Sequence, residues 1–140
     1  SSAASDVYKR QAIIDHNIKY LPLMRTIRLV RLIVFYEVQE HELIQYESRS
    51  ITRSLSSPKE QTFKTERIIL WFLNKRNIPI LKKDREAFWE KLSPEIHELY
   101  NNKYESQLLR LFDFTAWMES KIRKEKLSEV LRARASAKEC

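Results

Sequence analysis

Three histidines, His16, His41 and His97, and one cysteine, Cys140, are the side chains of this chain best suited to hold a transition metal or attack a substrate. Their spacing supports neither. His41-Glu42 opens no H-E-x-x-H, because position 45 is Gln, and no other pair of histidines stands at a metal-ligand interval. Cys140 has no histidine near it in sequence and no second cysteine with which to form an internal disulfide. Carboxylates at Glu37, Glu40 and Glu47, or at Glu86 and Glu90, fall at helical distances and could share a face. A di-iron bundle, however, needs Glu-x-x-His on two helices; the run Glu37 to His41 contains none, and Glu95-Ile96-His97 is one residue short. Solvated helix faces account for these acids.

Phosphate cradles are excluded on other grounds. The chain has no glycine, where average usage of about 7% would supply roughly ten. The loops G-x-x-x-x-G-K-[ST] and G-x-G-x-x-G need backbone without a Cβ, and so does the nucleophile elbow G-x-S-x-G. The remaining chemistry is cationic. Arg25, Arg28 and Arg31 recur every three residues and form a polar edge. Lys75, Arg76, Lys82, Lys83 and Arg85 form a second basic group, flanked by Trp71 and Trp89, where phosphates or acidic side chains could bind. A third run, Lys121, Arg123, Lys124, Lys126, Arg132 and Arg134, is diluted by Glu119, Glu125 and Glu129. The formal net charge is +7, yet it is spread evenly: residues 1–57 carry eight Lys/Arg against six acids, 58–102 nine against seven, and 103–140 nine against six. Such alternation of sign is the pattern of helix surfaces held by i,i+4 pairs. The expectation is a non-enzyme with no metal and no cofactor.

The elements that carry these residues read as helices, and no alternating run is long enough for a strand. Ala12 to Leu21 has apolar residues at 13, 14, 18 and 21, the end of a first helix. Pro22 opens the next, over about Leu23 to Glu37, with Leu23, Ile27, Val30 and Val34 as its inward stripe and Leu29, Leu32, Ile33 and Tyr36 widening it. A third runs from His41 to about Leu55, with Leu43, Ile44, Ile51 and Leu55 inward. Ser57-Pro58-Lys59-Glu60 reads as a capping box that starts a fourth. The fifth covers Lys82 to Asn101, where Ser93-Pro94 is expected to break or kink it. The sixth runs unbroken from Tyr104 to about Lys124, and Leu127, Val130 and Leu131 allow one short helix before a frayed basic tail. Trp71, Trp89 and Trp117 each lie in an apolar stripe and should fill space between helices. The longest apolar stretch, Leu29 to Val38, contains Arg31 and is far short of a membrane span. The fold expected is all-α, with five or six antiparallel helices in a single domain over residues 12–126 and a tail over 127–140.

Two resemblances add to this reading. Ser5-Asp6-Val7-Tyr8-Lys9-Arg10-Gln11 resembles the in-frame translation of a transposase mosaic-end sequencing adapter, which implies a non-native leader over residues 1–11. Phe35-Tyr36-Glu37-Val38, followed by a two-residue turn, resembles a tetratricopeptide-like helical hairpin. From about Leu21 to Ile122 the chain looks like the C-terminal tails of uncharacterised bacterial tetratricopeptide-like proteins. The matching features are Arg49, Arg53 and Leu55 on a second helix and the terminal run Phe112-Asp113-Phe114-Thr115-Ala116-Trp117 through Ile122. Gln39 stands where the repeat usually has a turn glycine, and Leu32 and Ile44 where it has small residues, which suits a degenerate capping repeat. The resemblance implies a scaffold at the end of a repeat array, with a protein partner, and carries no catalytic residues over; the single cysteine fits a reduced, cytoplasmic compartment. A nucleic-acid-associated helical protein using the same basic edges is the alternative.

Overall fold

The computed structural model describes residues 22–55, 63–75 and 78–139. Among them are seven helices and no strands: α1 (Pro22–Glu37), α2 (His41–Leu55), α3 (Lys64–Asn74), α4 (Lys82–Asn101), α5 (Ser106–Leu111), α6 (Phe114–Arg123) and α7 (Leu127–Glu139). The all-α class follows from the sequence. None of these helices is long and apolar enough to cross a membrane. The expected helix over Ala12 to Leu21, the leader and the Ser57–Glu60 capping box lie outside the described residues. Where the sequence suggests one domain, the chain clusters into two compact units divided after Thr62.

In the first unit α1 packs on α2. The buried side of α1 is Thr26, Leu29, Leu32 and Ile33, and that of α2 is Ile44, Ser48 and Ile51. This corrects the stripe expected for α1. Leu23 is 53% exposed, and Ile27, Val34 and Val38 are likewise open, so an apolar row runs along the outside of the helix. The helix is apolar on nearly every side, and periodicity therefore cannot say which side faces its neighbour. Leu43 of α2 is exposed too.

The turn after α1 shows what a chain without glycine does at a bend. Gln39 takes φ 62°, with its N–H on the Tyr36 carbonyl at 3.1 Å and the Glu40 N–H on the Phe35 carbonyl at 2.9 Å. That is the two-bond helix ending usually closed by glycine. Lys124 also turns left-handed after α6, at φ 56°, with its own N–H and that of Glu125 both on the Ser120 carbonyl, the latter at 3.0 Å. The left-handed region crowds the Cβ of an L-residue by about 1–2 kcal/mol, of which glycine's greater freedom in the unfolded chain returns roughly half. Gln39→Gly and Lys124→Gly are each expected to stabilise the protein by up to about 1 kcal/mol, read as a rise in the urea midpoint at unchanged slope.

The second unit is built around α6, in which eight of ten residues are buried: Phe114 through Ser120, and Ile122. A helix buried on all sides needs neighbours on all sides, and α3, α4 and α7 each pack on it. Phe72 of α3 meets Trp117 edge to face at 5.7 Å. The expected unbroken helix from Tyr104 to Lys124 is two helices, because Phe112 turns to extended backbone (φ −152°) and Asp113 caps α6 by accepting from the Ala116 N–H at 3.1 Å. Of the break or kink expected at Ser93-Pro94, the break does not occur, and Pro94 sits inside a continuous helix. Residues 127–139, expected as a short helix and frayed tail, form a thirteen-residue helix instead.

The first turn of α3 is completed from far away. Phe63 is its N-cap and offers no side-chain oxygen. The carboxylate of Glu105 accepts from the Lys64 N–H at 2.6 Å, the Thr65 N–H at 3.2 Å and the Thr65 hydroxyl at 2.9 Å. Stacking of Phe63 on Tyr104, with ring centroids 4.2 Å apart and planes 3° from parallel, holds the same corner.

Candidate binding groove

The sequence pattern puts Trp71 between helices, whereas the side chain is 46% exposed. It stands one turn before Lys75, which ends α3, so the two side chains share a face. Across from them α4 presents Phe88, Lys91, Leu92 and Glu95, at steps of three, four and seven residues, again one face. These six residues line an open groove of about 520 Å³. The Trp71 and Phe88 rings lie 6.2 Å apart and 16° from parallel. The Lys75 ammonium rests on both, 4.8 Å from the Trp71 centroid and 4.1 Å from that of Phe88. An ammonium over two π faces gains attraction from both, but it has no carboxylate within ion-pair distance among the described residues.

The residues singled out from sequence scatter around this site. Lys75 lines the groove, whereas Arg76 lies outside the described residues. Lys82 and Lys83 are exposed on the first turn of α4, away from the lining. Arg85 is half-buried, with its Nη1 donating to the Ile80 carbonyl and its buried Nε without a partner among the described residues. Trp89 is half-buried. In the first unit, Arg25 is only 3% exposed, so the outer edge is continued by Arg28 and Arg31 alone. Arg31 pairs with Glu47 at 3.1 Å and lies 5.4 Å from the Phe35 ring centroid. Sequence reasoning missed Phe88, Lys91, Leu92 and Glu95 as lining residues. Their shared face was visible in the spacing, but nothing in the spacing says that Trp71 stands opposite.

No family model, curated protein or solved structure matches the chain. The assignment of a role therefore rests on its own side chains.

A second group of polar residues also gathers in this unit, and it is internal. Arg134 of α7 places Nε and Nη2 on one oxygen of Glu119, at 3.1 and 2.7 Å, and Nη1 on the Tyr100 hydroxyl at 2.8 Å and the Thr115 hydroxyl at 2.7 Å. Asp113 Oδ1 accepts from Tyr100 at 2.6 Å and from Thr115 at 2.7 Å, and Arg123 donates to the other oxygen of Glu119 at 3.0 Å. These bonds join Tyr100 of α4, Thr115 and Glu119 of α6 and Arg134 of α7, so the group reads as a fastening of the three helices. Burial, and then the hydrogen bond to Asp113, push the Tyr100 hydroxyl from near 10 up to about 12. A folded-state value above the unfolded one means this contribution is complete below about pH 10 and is lost as pH rises towards 12. Alkaline difference spectra should show Tyr100 among the last of the six tyrosines to ionise, and Tyr100→Phe should remove that late step.

Proposed function

We infer that the chain is a non-catalytic interaction module that binds a protein partner through the α3–α4 groove. The observation that carries this reading is Trp71, a large aromatic left half open beside an ammonium without a carboxylate partner. Aromatic side chains with mixed apolar and polar character dominate binding surfaces, and leaving one uncovered has no folding advantage. The outward row Leu23, Ile27, Val34 and Val38 adds support for a place at the end of a helical-repeat array, since stacked repeats bury such a row against a neighbour. A photo-crosslinking residue at Glu95, activated in cells that make the protein, should yield an adduct destroyed by protease and resistant to nuclease. An adduct cleaved by nuclease, or none, overturns the reading.

One feature favours nucleic acid as the second reading: lysines beside an exposed tryptophan. Against it, the groove holds only two lysines and also a carboxylate, Glu95, which would repel a phosphate backbone. Retention of DNA or RNA on filters at ~50 mM salt, falling steeply as salt rises, is the result that would favour it.

A further inference from the structure

Resting on the reading of a protein-binding module, we propose that the groove takes a short acidic amphipathic peptide segment, one apolar side chain entering between Trp71, Phe88 and Leu92 with a carboxylate beside it on Lys75 and Lys91. Charge and dimensions carry this. The α4 side of the groove, Phe88 to Glu95, spans about 10 Å, two turns of helix, which limits the occupant to a few residues. Its walls are aromatic and aliphatic, and its volume of about 520 Å³ suits one or two bulky side chains. Two ammonium groups and one carboxylate line it, Lys75 from the end of α3 and Lys91 and Glu95 from α4. Neither Lys75, Lys91 nor Glu95 has an ion-pair partner among the described residues, so the groove carries one uncompensated positive charge.

Lys75 has a specific part in this arrangement. Its ammonium rests against both rings in the free protein. An incoming carboxylate gives that ammonium a stronger partner at the rim, and drawing it outwards frees both ring faces for the apolar side chain. Glu95 is left to accept from the peptide backbone N–H. A basic segment would instead meet Lys75 and Lys91 as like charges, which makes the groove selective as well as attractive.

The test uses the whole chain, with ¹⁵N-labelled tryptophan side chains followed by NMR. Three probe peptides are titrated: acetyl-Asp-Glu-Leu-Phe-Glu-amide, the same peptide with serine in place of each acid, and the same peptide with lysine in place of each acid. An oligothymidylate is the fourth probe. The acidic peptide is expected to shift the Trp71 indole N–H and to bind about tenfold tighter than the lysine peptide, a preference that shrinks with added salt. In Lys75→Gln/Lys91→Gln that preference disappears while binding of the serine peptide persists. Trp71→Ala, at a half-exposed position that leaves the core intact, loses all three peptides. Equal binding of acidic and lysine peptides overturns the proposal, as does a preference that survives the double substitution, a shift confined to Trp89 or Trp117, or tighter Trp71-dependent binding of the oligothymidylate. A protein adduct at Glu95 without acidic preference leaves the module reading standing and removes only this inference.

Discussion

Arg134→Met should destabilise the 63–139 unit by about 2–3 kcal/mol and release α7 from it. Methionine keeps the aliphatic stem and removes the fork, so the loss reports the hydrogen bonds and not the packing. Those bonds reach Glu119, Tyr100, Thr115 and, at 3.5 Å, Asp113. The side chains are partly shielded, with Arg134 and Asp113 each 25% exposed and Glu119 11%. Removing one partner of a fully buried charge network costs about 3–5 kcal/mol, and the residual solvent here brings the figure down. Glu119 keeps Arg123, which limits the loss further. Arg134→Lys is expected to recover little, because a single ammonium cannot sit on Glu119 and on the hydroxyl pair at once. Hydrogen exchange of amides 127–139 and urea denaturation measure both effects. A lysine variant as stable as the parent would show that the fork geometry is irrelevant and that any cation suffices.

Glu105→Ala should lower stability by a similar amount, about 2–3 kcal/mol. Its carboxylate is buried, 4% exposed, and is the acceptor for two backbone N–H groups and one hydroxyl of α3. A lost helix cap alone costs about 1 kcal/mol, and leaving buried donors without acceptors adds to it. Glu105→Gln keeps one acceptor oxygen and loses the charge that favours the positive end of the helix, so about half the effect is expected. Far-ultraviolet circular dichroism of the alanine variant should also lose ellipticity at temperatures well below the main transition, as the α3 start frays. Unchanged stability in both variants would mean that the Phe63–Tyr104 stack alone holds the corner.

Much of the architecture could be read from the residues. The bounds of α2 and α4 match the sequence reading, His41–Leu55 and Lys82–Asn101, because turn residues flank a clear apolar period at each. Boundaries written in longer-range terms were hidden. The start of α3 depends on Glu105, a residue distant in sequence, and no local pattern marks Lys64. The gap at Phe112-Asp113 was masked because apolar residues continue on either side in a helical rhythm, and Asp113 lacks the Glu or Gln three residues later that would have flagged a cap. Periodicity also places an aromatic on a face without saying whether anything covers that face. Trp117 and Trp71 look alike in sequence, yet one lies inside the unit and the other lines the groove. Arg134 reads in sequence as one more cation in a diluted basic run, since its partners, Tyr100 and the 113–119 segment, lie 15 or more residues away.

Pro94 carries a last consequence. It has no N–H for the Glu90 carbonyl one turn back, and the Ser93 hydroxyl donates to that carbonyl at 3.2 Å instead. A side-chain hydroxyl turns about its own torsion and tolerates longer separations than a peptide rung, so α4 is most compliant at this point. The turn bearing Phe88 and Lys91 lies on one side of that joint and Tyr100 on the other. A bend of α4, if one were imposed, is expected to fall at Ser93-Pro94 and to leave Tyr100 and the anchorage of the final helix in place.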